Sequence, residues 1–255
     1  MTAGRLRIGT FLAPRLRPLY EHVSDSLGEA LGRSAELVDG AQFAQLTDGE
    51  LDAAFICGLP YVRLRDAGAQ IEALVAPAMG TEEPVYSSAV VVRAGTEANR
   101  LEEMSGRRLA VNEPDSHSGY GILRAALAER GVAAGCFSKV VETGSHVGSL
   151  GALRSGGADV AAIDSHVLAA LAADDPALLG ELTVIEWLGP SPSQPLTAGP
   201  GLGLDERVAA CEALRELEAF ELAPGARVDC WARVDDSTYD PIRRMCAAAA
   251  GRHGF

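Results

Sequence analysis

The stretch Arg108-Leu-Ala-Val-Asn-Glu-Pro-Asp-Ser-His-Ser-Gly-Tyr120 runs from a short β-type segment, through a polar turn, into a helical pattern over Gly119–Arg130. Gly131 follows Arg130, where a left-handed C-terminal residue is expected. Ser116, His117 and Ser118 then occupy N-cap and first-turn positions. A helix N-terminus exposes unpaired N–H groups and a partial positive charge, and nearby hydroxyls add donors. Such a turn holds an oxyanion without Lys or Arg. The same residues also read as a Ser-rich N-cap with no ligand.

A second turn has the same build. Glu142-Thr-Gly-Ser-His-Val-Gly-Ser149 follows the strand run Lys139–Glu142 and opens the helix run His146–Arg154. Two donor-rich turns after successive strands converge on one crevice, because open α/β sheets bind ligands outside the carboxyl ends of their strands. A third strand end, Ala161-Ala-Ile-Asp164, brings a carboxylate to the same rim. Asp164 reads either as an acceptor for a ligand amine or hydroxyl, or as the N-cap of the helix from Ser165.

Outward from these turns, β-type and helical runs alternate along the chain. Strands are expected at Leu6–Thr10, Ala35–Val38, Asp52–Ile56, Ile71–Ala76, Val85–Val92, Arg108–Val111, Lys139–Glu142, Asp159–Ile163, Thr183–Trp187 and Arg227–Val234. Helices are expected between them, including Leu19–Leu31, Asp205–Ala219 (capped by Asp205) and Asp240–Ala249. This alternation implies an α/β architecture with mainly parallel sheets. Gly80-Thr-Glu-Glu-Pro84 and the proline-dense Gly189-Pro-Ser-Pro-Ser-Gln-Pro195 mark two break points. They divide the chain into a discontinuous lobe 1 (1–86 and 190–255) and a lobe 2 (87–189).

The 255 residues carry 35 acidic against 22 basic side chains, a formal charge of −13. That balance argues against nucleic acid and anionic membrane surfaces as partners. Lys139 is the only lysine, so a mechanism that needs one has a single candidate. No apolar run is long enough to span a membrane. The first twenty residues show neither an unbroken apolar leader core nor a small-residue cleavage site. As written, the chain is expected in the cytoplasm; a leader removed ahead of residue 1 would place it in the periplasm or outside the cell. Five widely spaced cysteines without a CxxC pair read as reduced, structural thiols.

The ordered set of blocks resembles the phosphate/phosphite/phosphonate substrate-binding proteins of ABC transporters. The resembling blocks are Phe55-Ile-Cys-Gly-Leu-Pro-Tyr-Val62, Tyr86-Ser-Ser88 and Leu101–Asn112. They continue with Ser116-His-Ser-Gly-Tyr120, Thr143-Gly-Ser-His146 and Gly157-Ala-Asp-Val-Ala-Ala-Ile-Asp164. The resemblance implies a two-lobe periplasmic-binding-protein type 2 clamshell, each lobe a mainly parallel sheet flanked by helices, with a small anionic ligand in the cleft. It implies that Ser116, His117, Ser118 and Gly119 hold the oxyanion, that Ser145 and His146 add donors, and that Tyr86 and Ser87 contribute from the crossing strand. It further implies that Cys57, Gly58, Tyr61 and the loop at Phe11 line the opposite lobe, and that Asp164 meets a ligand amino group. A monomer without a cofactor is expected, with an ABC permease as partner if the protein is exported.

The same fold also carries cytosolic biosynthetic enzymes. For that alternative, His117, His146, Asp164 and Glu113 are the acid–base candidates. A hydrolase built on Ser116, His146 and Asp164 lacks a G-x-S-x-G elbow. No metal-ligand spacing is present. Gly199–Gly203 lacks dinucleotide-binding spacing. His22, His166 and His253 read as helix-surface or terminal residues, and Cys57 as a packed small residue.

Overall fold

A computed structural model describes residues 4–224, 226–251 and 255; the expected terminal His253 lies outside them. The chain divides into two compact units. Unit 1 comprises Met1–Val85, Pro192–Leu222 and Arg227–Asp240; unit 2 comprises Tyr86–Ser191, Ala223–Ala226 and Pro241–Phe255.

The first unit begins with β1 (Leu6–Thr10), α1 (Arg17–Leu31), β2 (Ala35–Val38), α2 (Phe43–Thr47), β3 (Ala53–Phe55), α3 (Gly58–Asp66) and β4 (Glu72–Ala78). Leu6 and Ile8 alternate inward on β1 and are fully buried. Leu19, Tyr20, Val23 and Leu27 line one stripe of α1 and pack on the same core. β1 pairs in parallel with β2 and β3.

The second unit contains β5 (Val85–Arg93), β6 (Arg108–Val111), α4 (Ile122–Glu129), β7 (Lys139–Glu142), α5 (His146–Arg154), β8 (Val160–Asp164), α6 (Ser165–Asp174), α7 (Leu178–Glu181) and β9 (Leu182–Pro192). The sheet order is β7-β6-β8-β5-β9. β6 is parallel to β7 and β8, whereas β5 is antiparallel to β8. Along β5, Val90 and Val92 enter one core while Ala89 and Val91 enter another, so the sheet is covered on both faces.

The chain then supplies β10 (Leu196–Ala198), α8 (Leu204–Arg215), a two-stranded hairpin of β11 (Phe220–Ala223) and β12 (Ala226–Val228), β13 (Cys230–Arg233) and α9 (Asp240–Ala248). β10 lies antiparallel between β3 and β4, and β13 is antiparallel to β4. No helix among the described residues is long and apolar enough to cross a membrane.

The α/β architecture is as expected, but both sheets are mixed rather than mainly parallel. The strands that enter each sheet after a crossing between units run against their neighbours. β10 and β11 have no counterpart among the expected strands. β10 is only three residues long and ends at Gly199, where a Cβ would stand 2.5 Å from the Leu51 carbonyl. Asp205 does not cap α8: Gly203 is the cap, and its N–H is met by Glu206 at 3.0 Å. The proline-dense segment is partly strand, since β9 continues to Pro192. Residues 241–255 were expected in lobe 1 but belong to the second unit, where Met245 and Phe255 pack on the Val90–Leu123 core.

At the start of the β6 and β8 strands, Asp159 accepts from Arg108 Nε, Nη2 and N at 2.9, 2.8 and 3.0 Å, and from Arg93 at 3.4 Å. The hydrogen-bonded Arg108 guanidinium holds this carboxyl well below the usual carboxylate range. A carboxyl with a depressed folded-state pKa stabilises the fold above its unfolded value of about 3.9 and loses that contribution as pH falls. Asp159→Asn is therefore expected to lower the urea midpoint at pH 7, with the gap to the native protein narrowing below about pH 4. A gap that stays constant down to about pH 2.5 would refute this linkage.

Candidate functional site

The parallel order of β7, β6 and β8 puts their carboxyl ends on one edge of the second unit. Antiparallel β5 brings its first residues to the same edge, with Ser88 opposite Asp164. Four segments therefore meet there: the 112–121 turn, the 142–149 turn, Asp164, and Tyr86–Ser88.

In the first turn, Ser116 is the N-cap. Its Oγ accepts from Gly119 N at 3.0 Å and from Asn112 Nδ2 at 3.3 Å. With both acceptor positions filled, the Ser116 hydroxyl hydrogen is left to donate elsewhere. The turn His117–Gly121 is a π-helical one, with Gly121 N bonded to Ser116 O at 3.0 Å, and it leads into α4. His117 Nε2 meets Ser191 Oγ at 2.9 Å. Ser118 Oγ meets His146 Nε2 at 3.0 Å.

In the second turn, Ser145 caps α5 and accepts from Gly148 N at 3.0 Å. Asn112 ties the two turns together. Its carbonyl accepts from Gly144 N at 3.0 Å, and its Oδ1 accepts from Ser149 Oγ at 3.2 Å. Ser149 Oγ in turn lies 2.7 Å from Thr143 Oγ1. Asp164 caps α6, accepting from His166 N at 2.8 Å and Val167 N at 3.3 Å. Ser87 N donates to Ser165 Oγ at 3.2 Å, and the Tyr86 ring lies 5.9 Å from that of His166. His166, expected on a helix surface, is buried. It sits in the first turn of a helix whose N-terminus is packed against β5.

Burial dominates the electrostatics. It lowers His117 to about 4, with Asp164 pulling the other way. It lowers His146 and His166 against the same opposing charge. Glu113 is raised, first by burial and then by Asp115 and Glu142. The edge thus presents neutral imidazoles, hydroxyls and helix N–H groups around a negative Asp164. The serine bonded to His146 is Ser118, whereas Ser116 is engaged as a cap, so the Ser116–His146–Asp164 hydrolase set is not assembled. Among the described residues, no group of three His, Cys, Asp or Glu side chains is placed to hold a metal ion.

Within the first unit, Phe11 and Cys57–Gly58 gather at the carboxyl ends of β1 and β3, where Phe11 N donates to Phe55 O at 2.9 Å. The Phe11 ring packs on Phe43 with centroids 4.5 Å apart. Tyr61 does not join them. It is fully buried against Tyr239, its hydroxyl donates to Asp236 at 3.2 Å, and burial followed by the Asp236 charge pushes it up to about 12.

A family model described as the periplasmic substrate-binding protein of phosphonate ABC transporters matches residues 10–239. The chain belongs to that family. Solved structures of similar fold include a binding protein component of an ABC phosphonate transporter from Pseudomonas aeruginosa. It is 18% identical, with a TM-score of 0.79 over 100% of this chain and 91% of that one. PhnD1 from Prochlorococcus marinus, in complex with methylphosphonate, is 16% identical, with a TM-score of 0.79 over 95% and 97% of the two chains. A Xanthomonas citri protein bound to ATP is 17% identical, with a TM-score of 0.71 over 97% of each chain. The phosphonate-binding family is periplasmic and serves ABC transporters, which implies a small ligand and a permease partner.

For this phosphonate-binding family member, the sequence reading missed Ser88, Asn112, Ser149 and Ser191. The Ser88 hydroxyl is buried and has no hydrogen-bond partner among the described residues. Period-2 alternation, which puts Ser88 and Tyr86 on one face of β5, was the available signal. Ser191 had none, since its contact with His117 spans 74 positions.

Proposed function

We propose that this protein is the periplasmic binding component of an ABC importer and takes a phosphonate or a closely related small phosphorus oxyanion. One observation carries this reading: two hydroxyl-capped helix starts are joined through Asn112 at one sheet edge, with no Lys or Arg in either turn. Helix N–H groups and the Ser116 and Ser118 hydroxyls receive the anionic head, since the unpaired donors and positive dipole end of a helix start attract negative charge without a formal cation. Asp164 and Tyr86 flank the ligand's remaining substituent, so an ammonium group on that substituent is favoured.

Calorimetric titration with methylphosphonate, 2-aminoethylphosphonate, phosphite, phosphate and ATP tests the reading. Saturable heat is expected with at least one of the small phosphorus anions, and 2-aminoethylphosphonate is expected to bind more tightly than methylphosphonate. Absence of heat and of thermal shift with all of the small anions would overturn the assignment. Phosphorus NMR of the recovered ligand should show it unchanged; conversion would transfer the site to acid–base catalysis by His117, His146, Asp164 and Glu113.

A further inference from the structure

Side chains alternate along β5, so Tyr86 and Ser88 share one face and Ser87 takes the other. Ser88 stands directly opposite Asp164 on antiparallel β8. Opposed residues of such a pair have their side chains on the same face, with Cβ atoms about 4.5–5.5 Å apart. Further along the two strands this face carries Val90, Val92 and Ala162, which pack with Ile122 and Leu123 of α4. The His117–Gly121 turn that leads into α4 holds His117, whose Nε2 lies 2.9 Å from Ser191 Oγ on β9. β8 and β5 lie between β6 and β9 in the sheet, so this contact passes over the ends of both strands. Asp164 and Ser88 are the residues at those ends.

Ser88 breaks the pattern of this edge. Ser116, Ser118, Ser149 and Ser191 each have a side-chain hydrogen-bond partner. Ser88 is fully buried, and its Oγ has none among the described residues. Leaving a hydroxyl buried in that way costs about 1–3 kcal/mol, and folded proteins rarely accept it. Packing does not ask for a hydroxyl here, since Ala89 follows Ser88 on β5 and Ala162 lies two residues from Asp164 on β8. Burial does not set Ser88 apart from the site either, because Ser116, Ser118 and Asp164 are buried too. The hydroxyl is therefore suited to a partner from outside the chain. Beside the Asp164 carboxylate, that partner is a donor and not an anion: an oxyanion would be repelled there, whereas an ammonium supplies hydrogens to both oxygens.

We propose that Ser88 is a specificity-determining residue, whose Oγ accepts an N–H from an ammonium group on the ligand's substituent while Asp164 supplies the opposing charge. The inference rests on the oxyanion reading above and adds the residue that tells an aminoalkyl substituent from an alkyl one of the same length. The two ends of the ligand then meet different chemistry. The anionic head faces helix N–H groups and hydroxyl donors, and the far end faces an acceptor pair contributed by β5 and β8.

The test titrates 2-aminoethylphosphonate and n-propylphosphonate, which replaces the ammonium by a methyl group, into the native protein and Ser88→Ala. The native protein is expected to prefer the aminophosphonate. In Ser88→Ala the ratio of the two affinities should shrink by about 10- to 100-fold, the range of one hydrogen bond to a charged group. The thermal midpoint of the ligand-free variant should hold or rise, because a buried hydroxyl without a partner has been removed. Ser88→Cys keeps the volume and weakens the acceptor, so it is expected to move the ratio in the same direction and decides the matter if Ser88→Ala does not fold. An unchanged ratio in the variants, or a native preference for n-propylphosphonate, would overturn the proposal while leaving oxyanion binding intact. A midpoint several degrees lower in Ser88→Ala would make the hydroxyl structural and would also overturn it. If the native protein binds neither these two phosphonates nor any other small phosphorus anion, the oxyanion reading fails and the proposal fails with it.

Discussion

Ser118→Ala combined with His146→Ala is expected to remove most of the anion affinity while leaving the fold standing. The two side chains are each other's partner, at 3.0 Å in a buried setting. Removing one alone strands the other without its hydrogen bond, at a cost of about 1–3 kcal/mol. Removing both leaves no orphaned group, so the thermal midpoint should move less in the double variant than in the sum of the single ones. Each hydrogen bond lost to the charged ligand costs about 1.5–3 kcal/mol, a factor of roughly 10 to 100 in affinity. Calorimetry and thermal unfolding on the same samples check both halves. Undiminished affinity would place the anion elsewhere in the protein.

Gly119→Ala is expected to damage both stability and binding. A Cβ at this position would lie 2.5, 2.7 and 2.9 Å from Cγ, Oδ1 and Nδ2 of Asn112. The Asn112 amide cannot swing aside without losing its bonds to Ser116 and Ser149, and its carbonyl is held by Gly144 N. Overpacking of this kind costs about 1–3 kcal/mol. The strain falls on the residue that joins the two donor-rich turns, so their alignment goes with it. Adding Asn112→Ala to Gly119→Ala relieves the overlap. The pair is therefore expected to regain thermal stability relative to Gly119→Ala without regaining anion affinity. If the pair recovers affinity as well, Asn112 fills space and does not align the turns.

Much of this site was readable along the chain because its parts are local. Ser116, Ser145 and Asp164 each cap a helix within three residues, and a strand–turn–helix pattern announces such positions. The donor-rich, lysine-free character of both turns is legible in the same residues. Tyr61 shows where local reading stops. The family resemblance implied a rim residue there, yet its ring goes to Tyr239 and its hydroxyl to Asp236, 175 positions away. β10 was hidden for a related reason: three residues carry no period, and only its place between β3 and β4 makes them a strand.

The sequence by itself determined the alternation of strands and helices, the two donor-rich turns and the acidic, lysine-poor surroundings, since these depend on neighbours within a few positions. The tertiary structure decided which serine faces His146, how Asn112 clamps one turn to the other, and that β5 and β10 enter their sheets antiparallel. Those outcomes depend on partners distant along the chain, chosen by strand order and by the need to satisfy polar groups buried at the sheet edge.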